Sequence, residues 1–146
     1  MTDENTAAPA TVLPEGWKRG SGFAHAVVDP ATGLVIVAGQ FGQDPRTGEL
    51  APDFASQWQR ALENIVEVAK HFGRGPDAIM LLRIFIRSLD EYSAARAEVG
   101  AAQKAVLGKW YPATTMVEVS GLVEPKARLE IEAVLAVRAK QQHVGS

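Results

Sequence analysis

Residues 128–137 read RLEIEAVLAV, and the prediction of the fold starts from this stretch. Apolar side chains occupy every second position from Leu129 to Val137, and Arg128, Glu130 and Glu132 lie between them. Successive side chains of a β-strand point to opposite faces, so this two-residue period predicts a strand with one buried and one polar face. Residues 114–119 alternate in the same way and predict the strand that precedes it.

A longer period marks two helices upstream of these strands. Residues 54–72 carry large apolar side chains three or four positions apart, with Asp53 available as the N-cap and Gly73 as the C-cap. A second helix is predicted over residues 90–107, an alanine-rich segment that ends at Gly108. Further apolar segments predict strands at residues 23–28, 34–38 and 79–86.

The predicted order of elements is β-β-α-β-α-β-β, with a hairpin at each end of the domain. This order favours an α+β fold, in which a mixed sheet has two helices packed on one face. The other face of the sheet is left uncovered, and we expect it to carry a threonine, a methionine and three glutamates, namely Thr114, Met116, Glu118, Glu130 and Glu132. A face of this composition is either exposed to water or covered by another subunit.

Length and composition narrow the class of protein. The 146 residues suit one domain, and the weakly patterned segments 1–12 and 140–146 predict flexible tails on either side of a single domain at 13–139. The absence of cysteine excludes disulfides, thiolate nucleophiles and cysteine-ligated metals. A net charge of -2 gives no basic field for nucleic acid, and no apolar run is long enough for a membrane span. We therefore expect a cytoplasmic protein.

Three glutamates are the candidates for acid–base chemistry. A glutamate in a half-buried cleft can have its pKa raised toward the range useful for proton transfer, which makes Glu118, Glu130 and Glu132 of interest. The alternative interpretation is that all three are ordinary solvated carboxylates on strands. His25, in the first predicted strand, is either a base or ligand, or a structural histidine.

Metal and phosphate motifs are weak in this sequence. The histidines His25, His71 and His143 show no ligand spacing, so no metal site is predicted. The segment Gly39-Gln40-Phe41-Gly42 lacks the third glycine of a dinucleotide-binding fingerprint. It either lets backbone N–H groups approach a ligand oxygen or forms a simple bend.

Five short motifs follow one another along the chain. They are LVIVAGQ at 34–40, DPRTGE at 44–49, Gln57 with ALENI at 61–65, Pro112-Ala113 with VEV at 117–119, and LEIEA at 129–133. Together they resemble the reactive intermediate deaminase family, also called Rid or YjgF, over about residues 20 to 138. The resemblance implies a Rid-like domain with a chorismate-mutase-like fold. It also implies a homotrimer with small-molecule sites in clefts between neighbouring subunits, which accounts for the uncovered sheet face.

The resemblance also implies a reaction. Catalytic members of this family hydrolyse enamines and imines, typically 2-aminoacrylate, to a keto acid and ammonia without a cofactor or a metal. In that scheme Glu130, the first glutamate of LEIEA, positions water. An arginine after Pro-Ala binds the substrate carboxylate in the family, but here that position is Thr114, which carries no charge.

Other positions of the expected site depart from the family as well. The serine before the glycine is Ala38, and a site tyrosine corresponds to Phe23, which keeps the ring and loses the hydroxyl. Arg96 falls where many members have a site asparagine, and it either returns a cation to the cleft or is an ordinary exposed helical arginine. The expected substrate-binding residues are Phe23, Gly39, Arg96, Thr114 and its neighbour Thr115.

Two functions are consistent with these residues. The first is hydrolysis of an imine or enamine other than 2-aminoacrylate, with Glu130 activating water and a backbone N–H near Gly39 polarising the ligand. The second is a non-catalytic trimer that binds a small metabolite or a partner protein. RNA cleavage, an activity of some relatives, is disfavoured by the acidic chain and by the lack of a histidine pair.

Overall fold

A computed structural model of the chain describes residues 8–138 and shows the predicted α+β class. The strands are β1 (Ala10–Val12), β2 (Ala26–Asp29), β3 (Leu34–Phe41), β4 (Ile79–Ile86), β5 (Ala113–Glu118) and β6 (Leu129–Ala136). The helices are α1 (Phe54–His71), α2 (Leu89–Ala94) and α3 (Arg96–Leu107), with a 3₁₀ turn at Pro76–Ala78. The strands form one mixed sheet in the order β1-β2-β3-β6-β4-β5, whose buried face packs against α1 and α3.

The first strand lies in a segment for which the sequence predicts a flexible tail. Ala10–Val12 pair antiparallel with β2, and Val12 is buried. The tail prediction is therefore wrong for residues 10–12, because a short edge strand is stabilised by its partner and needs no pattern of its own. Residues 1–7 of that predicted tail, and the predicted tail at 140–146, lie outside the described residues.

The last two strands do not form the predicted hairpin. β6 lies between β3 and β4 and is antiparallel to both, whereas β5 pairs only with β4, in parallel, at the edge of the sheet. Alternation of apolar and polar residues identifies a strand but not the strand beside it, so the pairing was not available from the pattern. The arrangement places the LEIEA motif inside the sheet.

The pairing also corrects the predicted composition of the uncovered face. Thr114 pairs with the fully buried Leu82, whereas Glu130 pairs with Phe85 on the opposite face of β4. Directly paired residues share a face, so Thr114 belongs to the face that the helices cover. The same period places Met116 and Glu118 with Thr114. The expectation that these three residues share a face with Glu130 and Glu132 is wrong.

The long helix α1 confirms the predicted helix over residues 54–72. Asp53 accepts a hydrogen bond from the Ser56 N–H at 2.8 Å, and the Ser56 hydroxyl accepts one from the Asp53 N–H at 3.1 Å, which completes a capping box. Gly73 follows the C-cap with a φ of 70°. Fully buried aliphatic side chains form the core between α1 and the sheet, among them Leu62, Ile65, Ile84, Ile131 and Leu135.

The predicted second helix is divided into α2 and α3. Ala95 separates them with a φ of -97° and a ψ of 12°, and its N–H donates to both Glu91 and Tyr92 carbonyls. Ser88 caps α2 by accepting from the Glu91 N–H at 3.1 Å. Over residues 8–138, no helix has the length and apolar character needed to cross a membrane.

Candidate active site

Glu130 lies on the uncovered face of the sheet and is half-buried there. Its paired neighbours are Phe41 on β3 and Phe85 on β4. Paired residues on one face have Cβ atoms about 5 Å apart, so two aromatic residues flank the carboxylate. This environment removes water from part of the Glu130 side chain.

The surroundings raise the pKa of Glu130 above its ordinary value. Burial is the larger cause, because a carboxylate removed from water favours its neutral form. The second cause is the like charge of Glu132, two residues along the same face. Among the residues that the structure describes, the Glu130 carboxylate has no hydrogen-bond or ion-pair partner. An unpaired carboxylate with a raised pKa is suited to act as a general base.

The other two candidate glutamates have partners. The Glu132 carboxylate forms an ion pair with Arg83, whose Nε lies 2.6 Å from Oε1. Glu118 accepts a hydrogen bond from the Leu89 N–H at 2.8 Å, at the beginning of α2. Both contacts are structural, so Glu130 is the candidate base that the geometry favours.

Gly39 provides the space that the Glu130 side chain occupies. Gly39, Gln40 and Phe41 belong to β3, which carries a bulge between Val37 and Gln40, and Gly42 follows the end of the strand. A Cβ atom built on Gly39 would lie 2.7 Å from Cδ and 2.8 Å from Cγ of Glu130, closer than non-bonded carbons approach. A side chain at this position must therefore displace Glu130. Bulges of this kind are common next to active sites.

Phe23 lies in the loop before β2 and is exposed. Its ring packs on Gly20, where an added Cβ atom would lie 2.5 Å from the ring, and it meets the His25 ring edge-on at 5.4 Å between centroids. The His25 carbonyl accepts a hydrogen bond from the Ala38 N–H at 2.8 Å. This bond ties the loop to β3 immediately before Gly39.

His25 has the contacts of a structural residue. Its Nε2 lies 2.8 Å from the Lys18 carbonyl oxygen, to which a protonated Nε2 donates. Nδ1 is enclosed by the protein and has no partner among the described residues. In residues 8–138 no group of three or more His, Asp or Glu side chains is placed to hold a metal ion, and His143 lies outside this range.

Thr114 and Arg96 both line a separate cleft between the helices and the edge of the sheet, which we call the α3–β5 cleft. Its volume is about 400 Å³. The lining residues come from α1, α2, α3, β4 and β5: Trp58, Ile84, Tyr92, Arg96, Val99, Gly100, Gln103, Thr114 and Met116. The rings of Trp58 and Tyr92 stack at 5.9 Å between centroids. The cleft is thus mainly apolar with one cation.

The predicted site residues form two groups within one chain. Glu130 lies with Gly39 on one side of the sheet, and the Phe23 loop joins β3 beside them. Arg96 and Thr114 line the α3–β5 cleft on the other side. Thr115 pairs with Arg83 and lies on the Glu130 face, in the edge strand.

Sequence reasoning missed the aromatic residues around both groups. Phe41 and Phe85 flank Glu130 because β6 pairs with β3 and β4. No local sequence pattern predicts this pairing. Trp58 lies within the helix predicted over residues 54–72 and is buried, but its stacking on Tyr92 depends on how α1 and α2 pack. An aromatic residue on the apolar face of a helix carries no signal that distinguishes a core role from the wall of a cleft.

Known proteins match this chain in both sequence and structure. The profile of the family described as Endoribonuclease L-PSP matches residues 19–137. A RutC family protein of Haemophilus influenzae is 35% identical over 106 residues, which cover 72% of this chain and 79% of that protein. The 2-iminobutanoate/2-iminopropanoate deaminase of Salmonella typhimurium is 34% identical over 109 residues, covering 72% and 80%. The crystal structure of RidA from an Antarctic Psychrobacter superposes with a TM-score of 0.74 and 25% identity, covering 87% of this chain and 98% of that one.

Proposed function

We propose that this chain, which belongs to the endoribonuclease L-PSP family, also called the Rid or YjgF family, hydrolyses a small reactive imine or enamine. The observation that carries the proposal is the Glu130 carboxylate, which is half-buried, has a raised pKa and lacks a partner among the described residues. The deaminase name of a relative that is 34% identical supports the same reaction. The expected products are a carbonyl compound and ammonia, formed in the cytoplasm without a cofactor or a metal.

Glu130 acts in this proposal as the base that activates water. The ionised carboxylate takes a proton from water while the water oxygen attacks the carbon of the C=N bond. The nitrogen gains a proton from solvent, and the hydroxyl proton released in the last step returns one to solvent. The resulting carbinolamine receives a proton on nitrogen from Glu130, and the C–N bond then breaks to release ammonia. Loss of the hydroxyl proton leaves the C=O group. Backbone N–H groups at the β3 bulge, close to Gly39, polarise the ligand.

The active unit that we propose is a homotrimer with its sites between subunits. Glu130 and the α3–β5 cleft lie on opposite faces of one sheet, so one copy supplies Glu130 and a neighbouring copy supplies Arg96 and Thr114. Apolar side chains on the uncovered face are partly exposed: Leu34 by 42%, Ile36 by 53% and Val117 by 44%. A second copy of the chain would remove this apolar surface from water.

The proposed substrate differs from 2-aminoacrylate. In the family pattern an arginine anchors the carboxylate of that small substrate, and this chain has Thr114 in its place. The Thr114 hydroxyl donates to the Pro112 carbonyl at 2.9 Å, so its proton is already used within the protein. A different group must therefore hold the substrate.

Imines generated in place by an amino-acid oxidase test the hydrolase proposal. The wild-type protein is expected to accelerate the decay of at least one 2-imino acid. Glu130→Gln should lower kcat/KM about 100-fold or more, because the general base is lost. Glu63→Gln, at an exposed glutamate of α1, is the matched control and should keep full activity. Equal rates for the wild type and Glu130→Gln would remove Glu130 from the mechanism.

The second candidate function is a non-catalytic trimer that binds a small molecule. The uncharged Thr114 favours it, since an anchor needed for turnover of the family's small substrate is missing. A thermal-shift screen with stable 2-oxo acids separates the two functions, because a ligand at 100 times its Kd stabilises the folded protein by about 2.7 kcal/mol. Binding without acceleration of any imine decay would support the binding protein. RNA cleavage is disfavoured by the net charge of -2.

A further inference from the structure

The α3–β5 cleft has the size and the walls of a recess for a large apolar group. Its volume of about 400 Å³ falls within the range of small-molecule sites, about 300 to 1,000 Å³. Trp58 and Tyr92 stack in its wall beside the aliphatic or thioether side chains of Val99 and Met116. The Trp58 indole donates its N–H to Gln103 Oε1 at 2.9 Å, so this aromatic wall has no unsatisfied polar atom at Nε1.

Thr114 contributes space to this cleft and no charge. A threonine hydroxyl has one proton to donate, and the Pro112 carbonyl accepts it. The Thr114 side chain therefore has no donor left for a substrate carboxylate. Its side chain is also several atoms shorter than the arginine of the family pattern, which leaves room in the cleft beside Met116.

Arg96 supplies a cation to the same cleft. It is the first residue of α3, is exposed, and lines the cleft together with Thr114. Among the described residues its guanidinium has no carboxylate partner. The arginines that do have one are Arg46, Arg60, Arg74, Arg83 and Arg128. An unpaired guanidinium at the edge of an apolar cleft is suited to bind a carboxylate with two parallel hydrogen bonds.

We propose that the substrate is a 2-imino acid with an aromatic or large branched side chain. Its carboxylate binds Arg96, and its side chain enters the α3–β5 cleft beside Trp58 and Tyr92. This inference rests on the proposed function and names the substrate class for the same site. Thr114 and Arg96 are then the specificity-determining residues: the first admits the large side chain, and the second replaces the missing anchor.

The rates of hydrolysis of imines derived from alanine, leucine and phenylalanine test the preference. One methylene more or less in an apolar pocket changes kcat/KM about 10- to 200-fold, so the phenylalanine-derived imine should exceed the alanine-derived one by at least about tenfold. Thr114→Arg fills the cleft and restores a charge, and it should reverse this order. A wild-type preference for the alanine-derived imine, or the same order in Thr114→Arg, overturns the proposal.

Replacement of Arg96 tests the anchor separately. Arg96→Gln is expected to raise KM for the phenylalanine-derived imine about tenfold with little change in kcat, since a charge-assisted contact to the substrate carboxylate is lost. Arg87→Gln, at another exposed arginine, is the matched control and should leave KM unchanged. The same KM in both variants overturns the role of Arg96.

Calorimetric binding of stable 2-oxo acids separates failure of this inference from failure of the proposed reaction. Phenylpyruvate and pyruvate differ only in the side chain, and neither needs Glu130 chemistry to bind. If the wild type hydrolyses no imine, the proposed reaction fails. Phenylpyruvate binding at least about tenfold tighter than pyruvate binding, and weakened in Arg96→Gln, would then still support the assigned ligand class. Equal affinities would overturn it.

Discussion

Glu118, Glu130 and Glu132 are the same residue type on two strands of one sheet, and the structure gives them three environments. Glu132 pairs with Arg83, and Glu118 accepts the N–H that begins α2. Glu130 is flanked by two phenylalanines and has no described partner. Partial burial of an unpaired carboxylate disfavours its charged form, and the same effect makes it a stronger base.

The raised pKa of Glu130 predicts the acidic limb of the pH–rate profile. The carboxylate must be ionised to accept a proton, so kcat/KM should fall as the pH decreases through this pKa, which lies above the ordinary value of a glutamate. Glu132→Gln removes the like charge that raises the pKa of Glu130, so the midpoint should move to lower pH. Profiles of kcat/KM against pH for both proteins measure this, and coincident midpoints would contradict it.

Gly39 is predicted to act on the reaction by leaving room for Glu130. Gly39→Ala places a Cβ where the Glu130 side chain lies, so kcat should fall about tenfold or more as the carboxylate moves. Its φ lies outside the left-handed region, so alanine brings no backbone strain of that kind. Gly121→Ala is the control, because nothing lies within 4 Å of the added Cβ there. Comparable kcat values in the two variants would show that the close approach is unimportant.

At the scale of elements, α1 covers the sheet and also holds in place the chain segments next to β3 and β6. Gln57 on its buried face accepts a hydrogen bond from the Arg128 N–H at 2.8 Å and donates to the Ala51 carbonyl at 2.9 Å. These bonds fix the chain immediately before β6, two residues from Glu130. A Cβ built on Gly42 would overlap the Gln57 backbone, so the loop after β3 also packs closely on the helix. The helix therefore positions both strands that meet at the candidate site.

Gln57→Ala is predicted to lower the free energy of unfolding by about 2 kcal/mol, because the partly buried Arg128 N–H loses its acceptor. It should also lower kcat, since the chain immediately before β6 loses the hydrogen bond that holds it against α1. Gln59→Ala, at an exposed position of the same helix, should change neither quantity measurably. Urea denaturation and imine hydrolysis measure the two effects, and a Gln57→Ala protein as stable as Gln59→Ala would refute the prediction.

At the scale of the whole molecule, the uncovered sheet face connects the fold with the proposed assembly. One face packs on helices, and the other presents Ile36, Leu34 and Val117 partly to water. Glu130 lies on this second face and the α3–β5 cleft on the first. A complete site in the proposed mechanism therefore requires more than one copy of the chain.

Ile36→Lys is predicted to dissociate the proposed trimer and to abolish turnover with it. A charge introduced at a site that a neighbouring subunit covers would have to be buried without a partner. Light scattering should give three times the chain mass of 15.6 kDa for the wild type and a single chain mass for the variant. Ala105→Lys adds the same charge on the exposed side of α3 and should stay trimeric. A monomeric wild type would exclude the proposed assembly.

The sequence by itself determined the α+β class, the helix capped by Asp53 and most of the strands, and it made Glu130 a candidate for acid–base chemistry. These features are local, because a strand or helix period and a cap depend on residues a few positions apart. Only the tertiary structure decided that β6 lies between β3 and β4, that Thr114 faces the helices, and that Ala10–Val12 form a strand. Which strands pair, and which of their side chains point toward the helices, depend on contacts between distant segments. Alternation of apolar and polar residues determines neither the partner of a strand nor the face on which each side chain lies. The tertiary structure also decided the surroundings of Glu130, since its neighbours lie on other strands: Phe41 and Gly39 on β3, and Phe85 on β4.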